Sequence, residues 1–247
     1  AFKYGGKQGK IALYFADNDI LEFIWTIIPV IVLAGLILYG LYAWTNIMFI
    51  DDEEDTVVIE LYAQQFKWTA RYAGADQVLG KANVRLIDGV NSVGVDLSDK
   101  NAQDDFLATE IHIPKGKKVH FKMRSQDVLH SAYMPHFRAQ MNCVPGMVTE
   151  FAFTPIYTTA EYRELPFMVE KVARINDLRA KKSADLVAKG GTALDPYTFD
   201  YLLLCNKICG ASHYNMQMKV VVDSPEDYKK WLSDKVALAK EFKASKE

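Results

Sequence analysis

Two thiols, an imidazole and a thioether fall within residues 205–216, as Cys205, Cys209, His213 and Met216. All four are soft or borderline donors, a set that suits copper or zinc rather than calcium or magnesium. The thioether separates the first two, because it has little value to zinc and real value to copper. Two cysteines with three residues between them can each bridge two metal ions, giving a dinuclear centre with one imidazole on one ion. The second imidazole must then come from elsewhere. His130, in the stretch Asp127-Val128-Leu129-His130-Ser131, is the best candidate, read as a loop residue just after a strand. His136, between Pro135 and Phe137, is its competitor and reads better as a partly exposed loop histidine. The plainest alternative is that these Cys and Met residues are buried core.

The elements around this loop read as strands. Tyr201, Leu202, Leu203 and Leu204 precede it and the apolar-rich run 218–222 follows it. Residues 56–63, 84–87, 107–113, 117–123 and 147–153 are further strand candidates. His112 and His120 fall on the polar phase of two of them and read as solvated surface, not ligands. Phe66 and Trp68 form an aromatic patch that reads equally well as a half-buried strand end or a surface contact for a redox partner. Residues 156–198 are rich in charge with a loose helical spacing of Phe167, Val172, Ile175, Leu178 and Leu186. They read as a partly helical insertion, either a solvated flap or a docking element for a neighbouring subunit. Ser224-Pro225-Glu226 opens a C-terminal amphipathic helix, 224–247, with Tyr228, Trp231, Leu232, Val236 and Leu238 on its apolar face.

Residues 20–50 are almost wholly apolar, with Glu22 as their one charge, and exceed the roughly 20 residues that cross a bilayer. Trp25, Tyr39, Tyr42 and Trp44 suit interfacial aromatic belts, and Pro29 marks a bend. Lys3, Lys7 and Lys10 precede the span and an acidic run, 51–55, follows it. The positive-inside rule places flank 1–19 in the cytoplasm and the rest outside. Glu22 reads either as a snorkelling interfacial charge or as a proton-path residue. With 247 residues, 24% of them charged, and a net charge of −2, the chain gives no footprint for a nucleic-acid partner. Its three cysteines make no disulfide framework; Cys143 reads as a packing residue.

Taken together, Leu21-Glu22-Phe23-Ile24-Trp25-Thr26-Ile27-Ile28-Pro29, Asp127-Val128-Leu129-His130-Ser131, Val144-Pro145-Gly146 and the 205–216 loop make the chain resemble subunit II of cytochrome c oxidase, the copper-bearing subunit of the haem-copper oxidases. The resemblance implies a mainly β fold: a cupredoxin-like Greek-key barrel, 51–155 and 199–223, on a transmembrane helical anchor. It implies a dinuclear copper-A centre on His130, Cys205, Cys209, His213 and Met216, with Lys207 giving its backbone carbonyl. It implies partnership with oxidase subunit I and other oxidase subunits, and a first transmembrane helix upstream of residue 1. Glu22 matches a glutamate at the mouth of a proton path. The expected location is a bacterial inner membrane, with the copper domain on the periplasmic face. Lys207 stands where the family carries a magnesium-binding glutamate, so no magnesium, or a lysine-centred ion pair, is expected there. Phe66 stands where the family carries the tryptophan that receives electrons from cytochrome c, with Trp68 two residues later. That suggests another route, such as an attached haem protein docked on the insertion or a supercomplex. The aromatic rings Tyr214, Phe66 and Phe137 are expected to keep the sulfurs dry. Two other readings are a membrane-anchored zinc module on His130, Cys205, Cys209 and His213, and a quinol-oxidase-type subunit without metal. The retained cysteines speak against the last.

Overall fold

The computed structural model describes residues 6, 8, 9, 11, 14, 16–48, 56–235 and 237–240. The lysine flank Lys3, Lys7 and Lys10, the acidic run 51–55, and Val236 lie outside these. The chain divides into two compact units, Ala1–Phe49 and Ile50–Glu247.

In the first unit, α1 spans Asp19–Met48. Asn18 caps it, its side-chain oxygen accepting from the Leu21 N–H at 2.9 Å. Thirty residues reach about 45 Å at 1.5 Å per residue. The helix is apolar all round and buries none of its residues within the chain, as a lipid-facing span requires. Glu22 lies in its first turn and Pro29 in its interior.

In the second unit, ten strands among the described residues form two five-stranded sheets. The first runs β3 (Phe106–Ala108), β2 (Lys67–Tyr72), β1 (Val57–Gln64), β5 (Val119–Ser125), β8 (Thr149–Phe153). The second runs β4 (Ile111–Pro114), β10 (Gln217–Asp223), β9 (Tyr201–Cys205), β6 (His130–Met134), β7 (Ala139–Cys143). Pairing is parallel between β1 and β5 and between β4 and β10, and antiparallel elsewhere. Ile59, Leu61, Phe121 and Met123 of the first sheet meet Leu203, Val220, Ile113 and Met134 of the second in one core. This mainly β architecture is the cupredoxin-like fold expected.

β1 does not alternate in burial as the half-exposed pattern predicts; seven of its eight residues are buried. The reason is a second layer. Val93, Val95 and Ala102, from the long loop after β2, pack with Leu238 over Tyr62 on the outer face of the sheet. Residues 84–87 are not a strand. Val84–Leu86 form a 3-10 turn whose start is held by the Asn83 side chain, which accepts from the Arg85 N–H. The candidate strand 107–113 is two strands: β3 pairs with β2, β4 with β10, so the chain changes sheets between them.

Residues 156–198 do include helices, α2 (Thr159–Glu164) and α3 (Pro166–Ala188), but they are not a solvated flap. Thr158 and Glu161 form a capping box at the start of α2. The Thr159 hydroxyl accepts from the Val222 N–H, Met168 is buried in the main core, and the Asn176 side chain bonds both ways to the Tyr197 main chain. α4 (Pro225–Ser233) follows β10, and its Trp231 stacks on His112 with centroids 4.4 Å apart.

Candidate metal centre

β9 ends at Cys205 and β10 begins at Gln217, and their antiparallel ladder closes with Cys205 N–H donating to the Met216 carbonyl at 3.0 Å. The residues between are thus a loop at one end of the second sheet. Within it the His213 N–H donates to the Gly210 carbonyl and the Met216 N–H to the His213 carbonyl, turning the chain tightly. β6 lies beside β9, with Ala132 opposite Cys205. This register brings His130 to the same end.

His130 is not in a loop. It is the first residue of β6 and fully buried. Its Nδ1 lies 3.8 Å from the Cys205 sulfur. Cys205 Sγ and Cys209 Sγ are 3.8 Å apart, far beyond the roughly 2.05 Å of a disulfide, and both cysteines are free. Cys209 Sγ lies 3.6 Å from His213 Nδ1 and 3.8 Å from Met216 Sδ. The Lys207 carbonyl is 3.3 Å from Cys205 Sγ. The donors of His130, Cys205 and Cys209 all lie within 4.8 Å of one another, as a metal-holding group requires. The arrangement is paired: one thiol faces an imidazole and a carbonyl, the other an imidazole and a thioether.

The electrostatics ask for a cation. Burial pushes the Cys209 thiol up to about 11, and the neighbouring Cys205 adds to the rise. Two thiolates this close cannot both ionise in a dry pocket without positive charge between them, which a metal ion supplies. The residues therefore fit a site for a soft metal ion.

Asp127, within the same short motif as His130, is the residue that orients it. Its Oδ1 lies 2.8 Å from His130 Nε2, fixing the ring so that Nδ1 faces the sulfur. Burial raises the Asp127 carboxyl, but bonds from the Gln65 N–H, His130 and the Val128 N–H outweigh it and hold it below the usual range. An acid three residues before the histidine was the available signal. Gln65 gave none. Its side-chain amide donates to the Cys209 carbonyl at 2.5 Å and its N–H to Asp127 Oδ2 at 2.7 Å.

The aromatic pair divides. Phe66 is 37% exposed and lies against Gly210, whereas Trp68 is buried and is no surface contact. Its Nε1–H points at the Met216 carbonyl at 3.4 Å and its ring meets His130 edge-on at 6.2 Å. Tyr214 is 87% exposed and shields nothing; Phe137 stacks on Phe153 and Tyr201. Lys207 is exposed.

The other histidines are elsewhere. His112 and His120 are not solvated: each meets a carboxylate, Asp223 at 2.7 Å and Glu150 at 2.9 Å, and His120 is buried. Trp231 of α4 covers the His112 ring. His136, in a 3-10 turn, is half-buried and edge-on to Phe199 and Tyr201. Burial and the charge of Lys171 lower its pKa. Cys143 is buried, and burial pushes its thiol up to about 12.

No family model matches the chain. Among curated proteins it is 32% identical over 240 residues to the alternative cytochrome c oxidase subunit 2 of Bradyrhizobium diazoefficiens, covering 96% of this chain and 72% of that one. It is 22% identical over 243 residues to the cytochrome c oxidase subunit 2 of Cereibacter sphaeroides, covering 94% of this chain and 66% of that one. Among solved structures, the periplasmic domain of subunit II of cytochrome oxidase from Bradyrhizobium japonicum matches with a TM-score of 0.41 at 15% identity, covering 72% of this chain and 91% of that one. A heme-copper terminal oxidase dimer matches with a TM-score of 0.42 at 15% identity, covering 83% and 99%. The solved structures add no weight at those scores; the first relative does, because its identity extends over nearly all of this chain and most of its own length. The chain belongs to the cytochrome c oxidase subunit 2 family, as a membrane subunit of an oxidoreductase.

Proposed function

We propose that the chain is the electron-accepting subunit of a respiratory cytochrome c oxidase. It holds a dinuclear copper-A centre on His130, Cys205, Cys209, His213 and Met216, with the Lys207 carbonyl. The observation that carries this reading is the pairing just described: two free thiols 3.8 Å apart, each with its own imidazole Nδ1 within 3.8 Å. Cys205 and Cys209 would hold the copper between them, and copper bound there would supply one-electron transfer with little change of geometry. The protein's part is to keep the donors fixed and dry. β6 and β9 fix His130 and Cys205, Asp127 orients His130, and burial of His130, Cys209 and Met216 excludes water.

Electrons enter from cytochrome c, or from an attached haem protein or supercomplex partner. Phe66 is the exposed contact, beside Gly210, and Trp68 is the interior ring behind it. They leave to the haem-copper subunit I, which reduces oxygen coupled to proton pumping. A proton-path role for Glu22 at the membrane edge is supported by its position in the first turn of an apolar span, where an ionisable group is costly. The lysine flank supports a bacterial inner membrane with the copper domain on the periplasmic face. The exposed Lys207 ammonium cannot ligate magnesium, so no magnesium ion is held by its side chain.

The test is electron paramagnetic resonance, with a copper count, on the full chain in detergent after copper loading. Two coppers per chain sharing one unpaired electron support the reading. One copper with an ordinary mononuclear pattern, or zinc and no signal, overturns it.

A further inference from the structure

We propose that Gln65 is a positioning residue that clamps the cysteine loop of the metal centre to the start of β6, which carries His130, from the opposite sheet. The inference rests on the copper-A reading above and deepens it.

His130 is carried by β6, while Cys209, His213 and Met216 are carried by the loop from β9 to β10. Those strands share the second sheet, and their ladder runs only from Tyr133 opposite Leu204 to Ala132 opposite Cys205. Beyond it the Asn206 N–H still reaches the Ser131 carbonyl at 3.1 Å. After that the two chains turn away from each other, one toward Asp127, the other toward Cys209. The imidazole of His130 and the sulfur of Cys209 thus lie past the last strand hydrogen bond that ties their backbones.

Gln65 spans that gap. It sits at the tip of the β1–β2 hairpin, in the turn between Gln64 and Lys67, and so belongs to the first sheet. Its N–H donates to Asp127 Oδ2 at 2.7 Å, and the other oxygen of that carboxylate lies 2.8 Å from His130 Nε2. Its side-chain amide donates to the Cys209 carbonyl at 2.5 Å. One residue therefore touches the support of one ligand and the backbone of another. The fit on the Cys209 side is close: a Cβ placed on Gly210 would lie 2.9 Å from Gln65 Nε2 and 2.8 Å from the Phe66 ring. Glycine at 210, with φ of +144°, is what lets the tip approach. Two residues on, Trp68 repeats the pattern from the interior, with Nε1–H toward the Met216 carbonyl and its ring edge-on to His130. The hairpin tip is a strut between the start of β6 and the cysteine loop, and the Gln65 amide is its contact with that loop.

The experiment uses the full chain in detergent, wild type beside Gln65→Met and Gln65→Glu. Both variants keep the length of the side chain and the N–H to Asp127 and lose the amide donor to the Cys209 carbonyl. In the copper-loaded protein the expected result is release to a chelator about tenfold faster, the range for outer-shell partners of metal ligands, with a changed copper hyperfine pattern. In the metal-free protein the expected result is faster alkylation of Cys205 and Cys209. A residue that served only general stability would lower the unfolding temperature and leave the copper signal of the folded chain as it was. If both variants fold and match wild type in release, copper signal and alkylation, the clamp is overturned. Failure of the copper-A reading shows separately, as a wild type without two coppers. The alkylation rates of the metal-free chain still decide the clamp in that case.

Discussion

The β domain buries two clusters of polar side chains, and they are built on opposite terms. At the loop end of the second sheet, His130, Cys205, Cys209, His213 and Met216 face one another at 3.6 to 3.8 Å, too far for strong bonds between them. On the outer face of the first sheet, Arg71 Nε lies 2.8 Å from Glu60 Oε2, Arg124 Nε lies 2.5 Å from Glu60 Oε1, and Arg71 Nη1 lies 3.3 Å from Asp105 Oδ2. The second cluster sets charges of both signs against one another. The first cluster sets two neighbouring thiols against neutral donors, so their ionisation has no opposite charge beside it. A buried charge without a partner is costly. The difference teaches that a site is marked by soft donors held close without an opposite charge, and a structural cluster by charges that already face their opposites.

Breaking each cluster should therefore give different losses. Cys209→Ser or Cys205→Ser should abolish the dinuclear centre, with the copper count falling from two to one or none, while the unfolding temperature of the metal-free chain stays near wild type. Two coppers and an unchanged resonance in either variant would refute the bridging role. Glu60→Ala should do the reverse. It strips two arginines of their carboxylate and should cost about 3 kcal/mol in denaturant unfolding, since removing one partner of a buried pair leaves charge uncompensated. The copper signal should persist; a lost signal with unchanged stability would reverse the comparison.

Asp127→Asn sharpens the metal side. His130 keeps a neighbour but loses its carboxylate, and copper affinity should fall about 10- to 100-fold in a competition titration. An affinity within twofold of wild type would show that the strand alone orients the ring. The smallest effect is on the ionic side. Burial raises the Asp105 carboxyl from 3.8 to about 6, against the pull of Arg71. Between those values the folded state holds a proton that the unfolded state has released. This group's contribution is thus fully present below about 4 and is lost as pH rises through 6. From pH 4 to 7 wild type should lose about 2 kcal/mol more stability than Asp105→Asn, by urea unfolding at a series of pH values. Parallel stability curves for the two proteins would rule this out.

The candidate metal donors were legible because their chemistry is written in residue type and short spacing. Cys205, Cys209, His213 and Met216 are close in the chain, and few combinations of thiol, imidazole and thioether suit anything but a soft metal. The span was legible too, because crossing a bilayer demands a long apolar run whatever surrounds it. Some strands followed from apolar runs and turns, but β6 and β7 did not, and residues 84–87 have strand composition and form a 3-10 turn. Strand faces did not follow either: Glu60 and His120 have polar side chains in buried positions.

What the sequence by itself determined is which atoms could hold a metal and which segment could cross a membrane. Both depend on composition within a short window. Tertiary structure alone decided that Trp68 lies inside against His130 while Phe66 lies at the surface against Gly210, and that Gln65 joins the cysteine loop to the start of β6. Each of these is a contact between segments far apart in the chain: Gln65 and Cys209 are 144 residues apart. Local propensity carries no record of such a pair. It is set by the register of β1 on β2, of β6 on β9, and by the packing of one sheet on the other.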